Sequence, residues 1–357
     1  MNSETKIVLF DFPIQRGAEA FAIEDAILED EGFADKIVLF TWRTKPTIML
    51  GRFQNALREV NLKALQERDV DLVRRATGGG TIYTDDGCFQ FSLIAPRTLP
   101  NGSYQKEINF ERFLKPSREV FLKMGIDCEI SERNDLLHKG VKFNGNSQHI
   151  SKDRILYHGS VLYNTDLGAM AKLLTPQKLK MESKGISSTR QRVVNLIAVD
   201  PFQRTVERFQ KEFEERFALE LACQYVEFAI DAIDRIERVF HLETEKPELF
   251  RRAAEIQRLK YDNPDWIVQK EPAYTIEKEG LFEAGFVKAL IDVKKGLIAS
   301  LRMEGDFFSE EAFLEERLKA FEGRAYSADA LADPAKALCD GELFQVSYSD
   351  LMKLLFD

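Results

Sequence analysis

Short apolar runs alternate with helical patterns along the first third of the chain. Residues 6–10 (KIVLF) read as a strand, and 17–31 as a helix with Ala20, Ile23, Ala26 and Ile27 on one face. Residues 37–42, 47–50 and 71–74 read as strands, with a helix at 61–66 between the last two. After a glycine turn come short strands at 82–83 and 88–94, joined by Thr84-Asp85-Asp86-Gly87, whose Asp-Gly pair predicts a tight hairpin. An amphipathic pattern over 110–124 predicts a helix, and 141–143, 147–150 and 155–163 predict sheet strands. Residues 166–250 are mostly helical in pattern. The stretch YDNPDWIVQKEPAY at 261–274 carries two prolines and breaks that period, as a linker would. Beyond it, 284–293 and 297–304 read as strands around Lys294-Lys295-Gly296, followed by helices, the last at 348–356. The expectation is an α+β protein: a large mixed β-sheet domain flanked by helices over residues 1–250, a linker over 251–272, and a small α+β domain over 273–357.

Composition narrows the class of function. The 357 residues carry 50 basic and 59 acidic side chains, a net charge of −9, which argues against a nucleic-acid partner. Uninterrupted apolar runs stop at four residues, as in Ile7 to Phe10, well short of the ~20 of a membrane span. The start, MNSETKIVLFDFP, lacks the basic end and apolar stretch of a secretion signal, so a cytoplasmic location is expected. Cys88, Cys128, Cys223 and Cys339 are widely spaced without a CxxC pair, which reads as reduced thiols. With four histidines and no HExxH, a histidine-built metal centre is not expected.

Three segments carry chemistry. In RRATGGGTIY, the consecutive Gly78, Gly79 and Gly80 let backbone amides close around an anion, and Arg75 adds a charged fork for phosphate or carboxylate. A Walker loop is excluded, because no GK[ST] follows. In NDLLHKGVKFNGNSQ, Lys142 sits in a strand before Asn144-Gly145, a tight-turn pair, where it can meet a ligand anion. In YHGSVL, Gly159 inside a strand marks a bulge or the close approach of a ligand, while His158 taken alone reads as a structural histidine.

In order, GRFQN (51–55), RRATGGGTIY, NDL with KGVKFNGNSQ, YHGSVLYNTDL and KGISSTRQRVVN (184–195) resemble the motifs of the lipoate–protein ligase A family, and the region from Tyr261 onward resembles its accessory domain. The chain departs from the family pattern at Thr84, at Cys88, at Tyr157 (the first histidine of HHG) and in KFNGNS. The resemblance implies a biotin/lipoyl ligase-like fold and a two-step, ATP-dependent reaction. Lipoate is activated to lipoyl-AMP, then passed to a lysine of lipoyl-acceptor domains in 2-oxoacid dehydrogenase E2 subunits or glycine-cleavage H protein. It implies Lys142 as the catalytic residue bridging the lipoyl carboxylate and the α-phosphate, and ATP binding by Arg75, Gly78, Gly79, Gly80, Thr81, Ile82, Tyr83 and Lys142. It implies lipoate contacts from Lys142, Arg75, His158 and Gly159, and support from Asn134, Asp135, Arg190 and Arg192. Mg2+ is implied as the ATP counter-ion, with no ligand assigned and Asp135 as the one candidate. Phe143, Val161 and Leu162 are placed by position alone to line an apolar slot for the acyl tail.

Two other readings stay open on the sequence. One is a lipoyl or octanoyl transferase that does not itself adenylate, which in its thioester form needs an activated cysteine. The other is a non-catalytic lipoate-binding module, which would keep Arg75 and the glycines without turnover.

Overall fold

The computed structural model describes residues 6–14, 16–61, 64–65, 67–98, 102, 104–174, 193–224, 229–268, 275–307, 309–340 and 346–356. Among them an eight-stranded sheet runs β11 (Ile236–Val239), β1 (Ile7–Phe10), β2 (Ile37–Trp42), β6 (Cys88–Pro96), β10 (Arg154–Leu162), β9 (Val141–Ser151), β8 (Asp135–His138) and β7 (Glu129–Ile130). β11, β1 and β2 pair in parallel and the remaining neighbours pair antiparallel, so the sheet is mixed, as expected.

Both faces of this sheet are covered. That is why its central strands are continuous apolar runs such as IVLF. Helices Glu111–Lys123 and Val206–Cys223 pack on one face over a core that includes Phe89, Phe91, Phe121, Phe143 and Val161. The second of them begins at a Thr205 cap whose hydroxyl accepts from the Arg208 amide, and Phe209, Phe213 and Phe217 follow at one-turn spacing. Each ring is fully buried, a contribution of about 2 kcal/mol apiece. Helices Gly17–Glu29 and Pro247–Ile256 cover the other face with Phe10, Phe21, Phe40, Trp42 and Leu156.

A three-stranded sheet, β4 (Asp71–Arg74), β3 (Thr47–Leu50) and β5 (Ile82–Thr84), carries the triple-glycine loop between β4 and β5. A third sheet, β12 (Ile276–Phe282), β13 (Gly285–Lys294) and β14 (Leu297–Gly305), packs under helices Glu311–Lys319, Ala328–Cys339 and Tyr348–Phe356 as the small domain. Phe53 of the large domain inserts into that small core and stacks on Phe307, ring centroids 4.8 Å apart.

Four expectations change. The Asp85–Gly87 segment is not a hairpin: β5 pairs with β3, whereas β6 pairs with β2 and β10. The chain switches sheets there. The Asp85 carboxylate accepts from the amides of Gly87 and Asp166, and a side chain at Gly87 would collide with the Asn164 carbonyl. Asn144-Gly145 is not a turn either, because β9 runs unbroken from Val141 to Ser151. The start of the proposed 251–272 linker is helical. Pro247–Ile256 packs on Gly17–Glu29, a π-turn at Gln257–Tyr261 follows, and Pro264–Val268 packs on β4. Finally, the stretch at 166–250 contains β11, and the 61–66 helix falls partly outside the described residues.

Candidate functional site

The triple-glycine loop is shaped from inside by Arg75. Its Nε donates to Thr77 Oγ1 (3.1 Å), one terminal nitrogen to the Met49 carbonyl (3.2 Å), and the other to the carbonyls of Gly78 and Gly80 (both 2.8 Å). Arg75 is only 5% exposed, and burial pulls its guanidinium down to about 10 against the attraction of Asp306 and Glu24. The expected fork for phosphate is therefore turned inward, and its hydrogens hold the loop open. Gly79 has φ +91°, a backbone that only glycine adopts readily, and a side chain at Gly51 would collide with the Gly79 carbonyl. Arg52 N donates to the Thr77 carbonyl at 2.9 Å, and Ser147 Oγ of β9 donates to the Gly78 carbonyl at 2.9 Å. Ser147 thus ties the loop to the large sheet.

Lys142 and Asp135 stand on β9 and β8. The β8–β9 register shifts between Leu136 and Leu137, and this single-residue slip decides which face Lys142 serves. Regular alternation from Gly145 and Ser147 would send Phe143 to the glycine-loop side. Instead Phe143 is buried against Phe121 in the helix-covered core, and Lys142 Nζ reaches Asp135 Oδ1 at 2.8 Å. Gly145 provides the room: a Cβ there would lie 2.5 Å from Lys142 Nζ and 3.5 Å from Asp135 Oδ1. The Lys142 carbonyl accepts from Val194 N at 2.9 Å, which anchors the strand.

His158 joins the same face through a relay. Its Nδ1 lies 3.2 Å from Glu24 Oε1 and its Nε2 lies 2.6 Å from Thr77 Oγ1. The Glu24 oxygen accepts from Nδ1, and Thr77 Oγ1, beside Nε2, also accepts from Arg75 Nε. Glu24 also accepts from Ser92, whose hydroxyl accepts from Trp42 Nε1. His158 is 7% exposed, with both nitrogens engaged within the protein.

The structure brings Arg75, Gly78, Gly79, Gly80, Thr81 and His158 together, with Lys142 and Asp135 farther along β9 and β8. Other expected residues fall elsewhere. Tyr83 is buried with Ile48, Leu50 and Leu173 behind β3, where burial raises its phenol well above the usual range. Ile82 packs on the core under Gly17–Glu29. Gly159 makes room for the Phe91 ring and the Asn146 side chain rather than for a ligand. Val161, like Phe143, belongs to the core and not to an acyl slot. Asn134 exchanges side-chain to backbone hydrogen bonds with Asn146, so its role is to join the loop before β8 to β9. Arg190 and Arg192 lie outside the described residues.

Sequence reasoning missed Glu24, and it read Thr77 and Gln54 inside motifs without giving either a role. Glu24 did carry a signal, since it interrupts the apolar stripe of Ala20, Ile23 and Ile27. Gln54 Oε1 accepts from Gly51 N (3.1 Å) and Thr81 Oγ1 (2.5 Å), and its Nε2 donates to Asp306 Oδ1 of the small domain at 3.0 Å. Beside it, Gly79 N donates to the Phe307 carbonyl at 3.3 Å. The small domain therefore lies against the glycine loop, giving it a carbonyl oxygen and giving Gln54 beside it a carboxylate.

As for a metal, no group of three His, Cys, Asp or Glu side chains among the described residues could hold one, and Asp135 is engaged by Lys142. The residues do not build a metal site of their own. The cysteines lack activation too: burial pushes the thiols of Cys88 and Cys128 up to about 12 and that of Cys339 up to about 11, and raises that of Cys223.

Residues 16–218 match the lipoyl protein ligase A/B catalytic domain, and residues 271–355 match the bacterial lipoate protein ligase C-terminus. A lipoate–protein ligase of Streptococcus pyogenes is 32% identical over 320 residues, 89% of either chain. The fold is shared with P. falciparum LipL1 solved with lipoate (22% identity, TM-score 0.71, covering 92% of this chain and 94% of that one). It is also shared with a lipoate-protein ligase A bound with ATP (22% identity, TM-score 0.56, covering 74% and 98%). With both domains matched in order across a glycine loop and a strand lysine built as described, the chain belongs to the lipoate–protein ligase family.

Proposed function

We propose that this protein activates lipoate with ATP and transfers the lipoyl group to a lysine of a lipoyl-acceptor protein. The observation that carries the reading is the register slip that turns Lys142 toward the glycine-loop side of the sheet, over the space left by Gly145. In the first step a lipoate carboxylate oxygen attacks the α-phosphorus, and the bond from that phosphorus to the oxygen bridging to the β-phosphate breaks as pyrophosphate leaves. In the second, the amine of the acceptor lysine attacks the acyl carbon, the carbon–oxygen bond to phosphate breaks, AMP leaves, and the amine loses a proton to solvent.

The first step brings a carboxylate against a triphosphate, and the second builds negative charge on the acyl oxygen and the departing phosphate, so fixed positive groups lower both barriers. Lys142 supplies that charge from a strand rather than a loop, and Asp135 orients its ammonium. Amides of the Gly78–Gly80 loop, whose shape Arg75 holds, would donate to phosphate oxygens, that of Gly79 on leaving the Phe307 carbonyl. Mg2+ would arrive with the triphosphate and screen its charge. The relay from Glu24 through His158 to Thr77 and Arg75 fixes the loop's shape.

The acceptors we infer are lipoyl domains of E2 subunits and the H protein, met in the cytoplasm. A thioester route lacks support, because burial keeps the Cys88 and Cys128 thiols protonated. The test is incubation of the purified protein with lipoate, MgATP and an acceptor domain, reading the acceptor's mass and released pyrophosphate. A mass increase of one lipoyl group that requires ATP supports the reading, and transfer without ATP overturns it.

A further inference from the structure

Arg74, the neighbour of Arg75, has no role in the reaction as described, yet it is fully buried at the end of β4. One terminal nitrogen donates to three carbonyls of the loop after β3: Gly51 (2.8 Å), Arg52 (3.1 Å) and Gln54 (2.6 Å). Its Nε donates to the carbonyls of Trp266 and Ile267, both at 3.0 Å. Trp266 answers in the other direction, its Nε1 donating to the Arg74 carbonyl at 2.9 Å, and the Arg52 guanidinium stacks over the indole at 4.4 Å. The other terminal nitrogen is buried with no hydrogen-bond partner among the described residues.

These two sets of carbonyls lie at opposite ends of one task. Trp266 and Ile267 belong to Pro264–Val268, the last turn described before the small domain begins at β12. Residues 51–55 underlie the glycine loop: Arg52 N donates to Thr77, Arg75 N to Leu50, and Gln54 holds Gly51 and Thr81. A buried guanidinium surrounded by carbonyl dipoles is stable only while they stay in place, because losing them leaves a desolvated charge. Movement of the Trp266 turn therefore strains the loop beneath the glycines.

We infer that Arg74 is a positioning residue that couples the turn leading into the small domain to the shape of the Gly78–Gly80 cradle, so that nucleotide affinity and the seating of that turn depend on each other. The inference rests on the reading of Gly78–Gly80 as the nucleotide's phosphate cradle. Such coupling is reciprocal: binding at the loop must tighten the turn, and loosening the turn must weaken binding.

The test uses the full chain with two variants. Trp266→Phe removes the indole donor to the Arg74 carbonyl and leaves a smaller ring under Arg52, and Arg74→Lys keeps the charge but cannot span both sets of carbonyls. Hydrogen exchange is read at the amides of Arg52 and Arg75, with β13 as internal control, and the KM for ATP is measured with lipoate saturating. We expect Trp266→Phe to speed exchange at both amides while β13 is unchanged, and each variant to raise the ATP KM roughly tenfold with a smaller change in kcat. The double variant should be less than additive, since the indole bond and the guanidinium bonds hold the same turn to the same strand end. In the unsubstituted protein a non-hydrolysable ATP analogue should slow exchange at Ile267, whose amide donates to the Asn263 carbonyl. Exchange at Arg52 and Arg75 unchanged by Trp266→Phe overturns the coupling, as do additive effects on KM. If Arg74→Lys does not fold, Trp266→Phe alone decides. If the analogue does not bind while Trp266→Phe still speeds exchange at Arg52 and Arg75, the mechanical link stands and the phosphate-cradle reading fails.

Discussion

Lys142 Nζ and Asp135 Oδ1 meet at 2.8 Å across neighbouring strands, on the face that a one-residue register slip opens to Lys142. The lysine is 37% exposed and the aspartate 26%, so the pair is wet enough to be weak in stability terms, and its value lies in aim. Lys142→Ala should lower both pyrophosphate release and transfer from synthetic lipoyl-AMP by about 10²- to 10³-fold, with the melting temperature nearly unchanged. Lys142→Met, which keeps the aliphatic stem, should lose as much. A folded variant with a near-normal rate would remove Lys142 from the chemistry.

Gly145→Ala tests the space rather than the charge. The new methyl would sit 2.5 Å from Lys142 Nζ, the flexible end of a side chain, so the lysine shifts while the strand persists. We expect a loss of roughly tenfold or more in kcat, since misplacing a charge by about 1 Å is costly, and no loss of folded protein by circular dichroism. An unchanged rate would show that the ammonium works from a different position.

Much of this site was legible in the sequence. RRATGGGTIY and the strand carrying Lys142 stood out because a run of glycines is costly to order and a charge between apolar strand residues is costly to bury, so both point to a ligand. The β8–β9 register slip was not legible, because Asn144-Gly145 looks like a turn locally and is kept in the strand by pairing with Val161 and Ser160 of β10. Nor was the inward turn of Arg75, which depends on carbonyls of Met49, Gly78 and Gly80. Glu24 and His158 are 134 positions apart, and only the tertiary fold joins them. β11 escaped notice because Ile236-Glu237-Arg238-Val239 sits at a sheet edge, where charged residues replace the apolar run.

Replacing Cys88, Cys128, Cys223 and Cys339 together by alanine should leave ATP-dependent transfer measurable. Their thiols are raised by burial, so at pH 8 the native protein should also resist alkylation at Cys88 and Cys128, as intact mass would show. A folded quadruple variant without activity, rescued by one restored cysteine, would bring back the thioester route.

Asp306→Ala should lower the KM for ATP by about fivefold, the equivalent of one hydrogen bond worth about 1 kcal/mol. The carboxylate bonds Gln54 and draws on the buried Arg75, so a nucleotide seated in the proposed cradle would have to displace it. An unchanged or raised KM would mean that the carboxylate assists the nucleotide instead.

The acid limb of stability should report on Asp200. Burial opposes its charge, but the Arg204 side chain and amide, the Phe202 amide and the Tyr163 hydroxyl hold it well below the usual carboxylate range. A carboxylate depressed in the native state binds its proton more readily when unfolded. Its contribution is therefore full above about pH 4 and fades as pH falls through the native value. Asp200→Asn should cost about 3 kcal/mol at pH 7, because it leaves the Arg204 charge buried with its best partner gone. The gap from the unsubstituted protein in urea titrations should narrow toward pH 2. A constant gap would assign the loss to packing instead.

The contact between the Gly79 amide and the Phe307 carbonyl has a bearing on which molecules the loop accepts. A chain that offers its own oxygens to the loop leaves an intruder little to gain from a single amide. Inorganic phosphate or acetate, touching one donor, trades one bond for another. A ligand long enough to engage the glycines and Gln54 together replaces both contacts at the energetic cost of ordering one molecule. If the loop is the phosphate cradle proposed above, discrimination would come from reach: small anions would gain too little to displace the chain's own oxygens, and a triphosphate would gain by spanning both contacts.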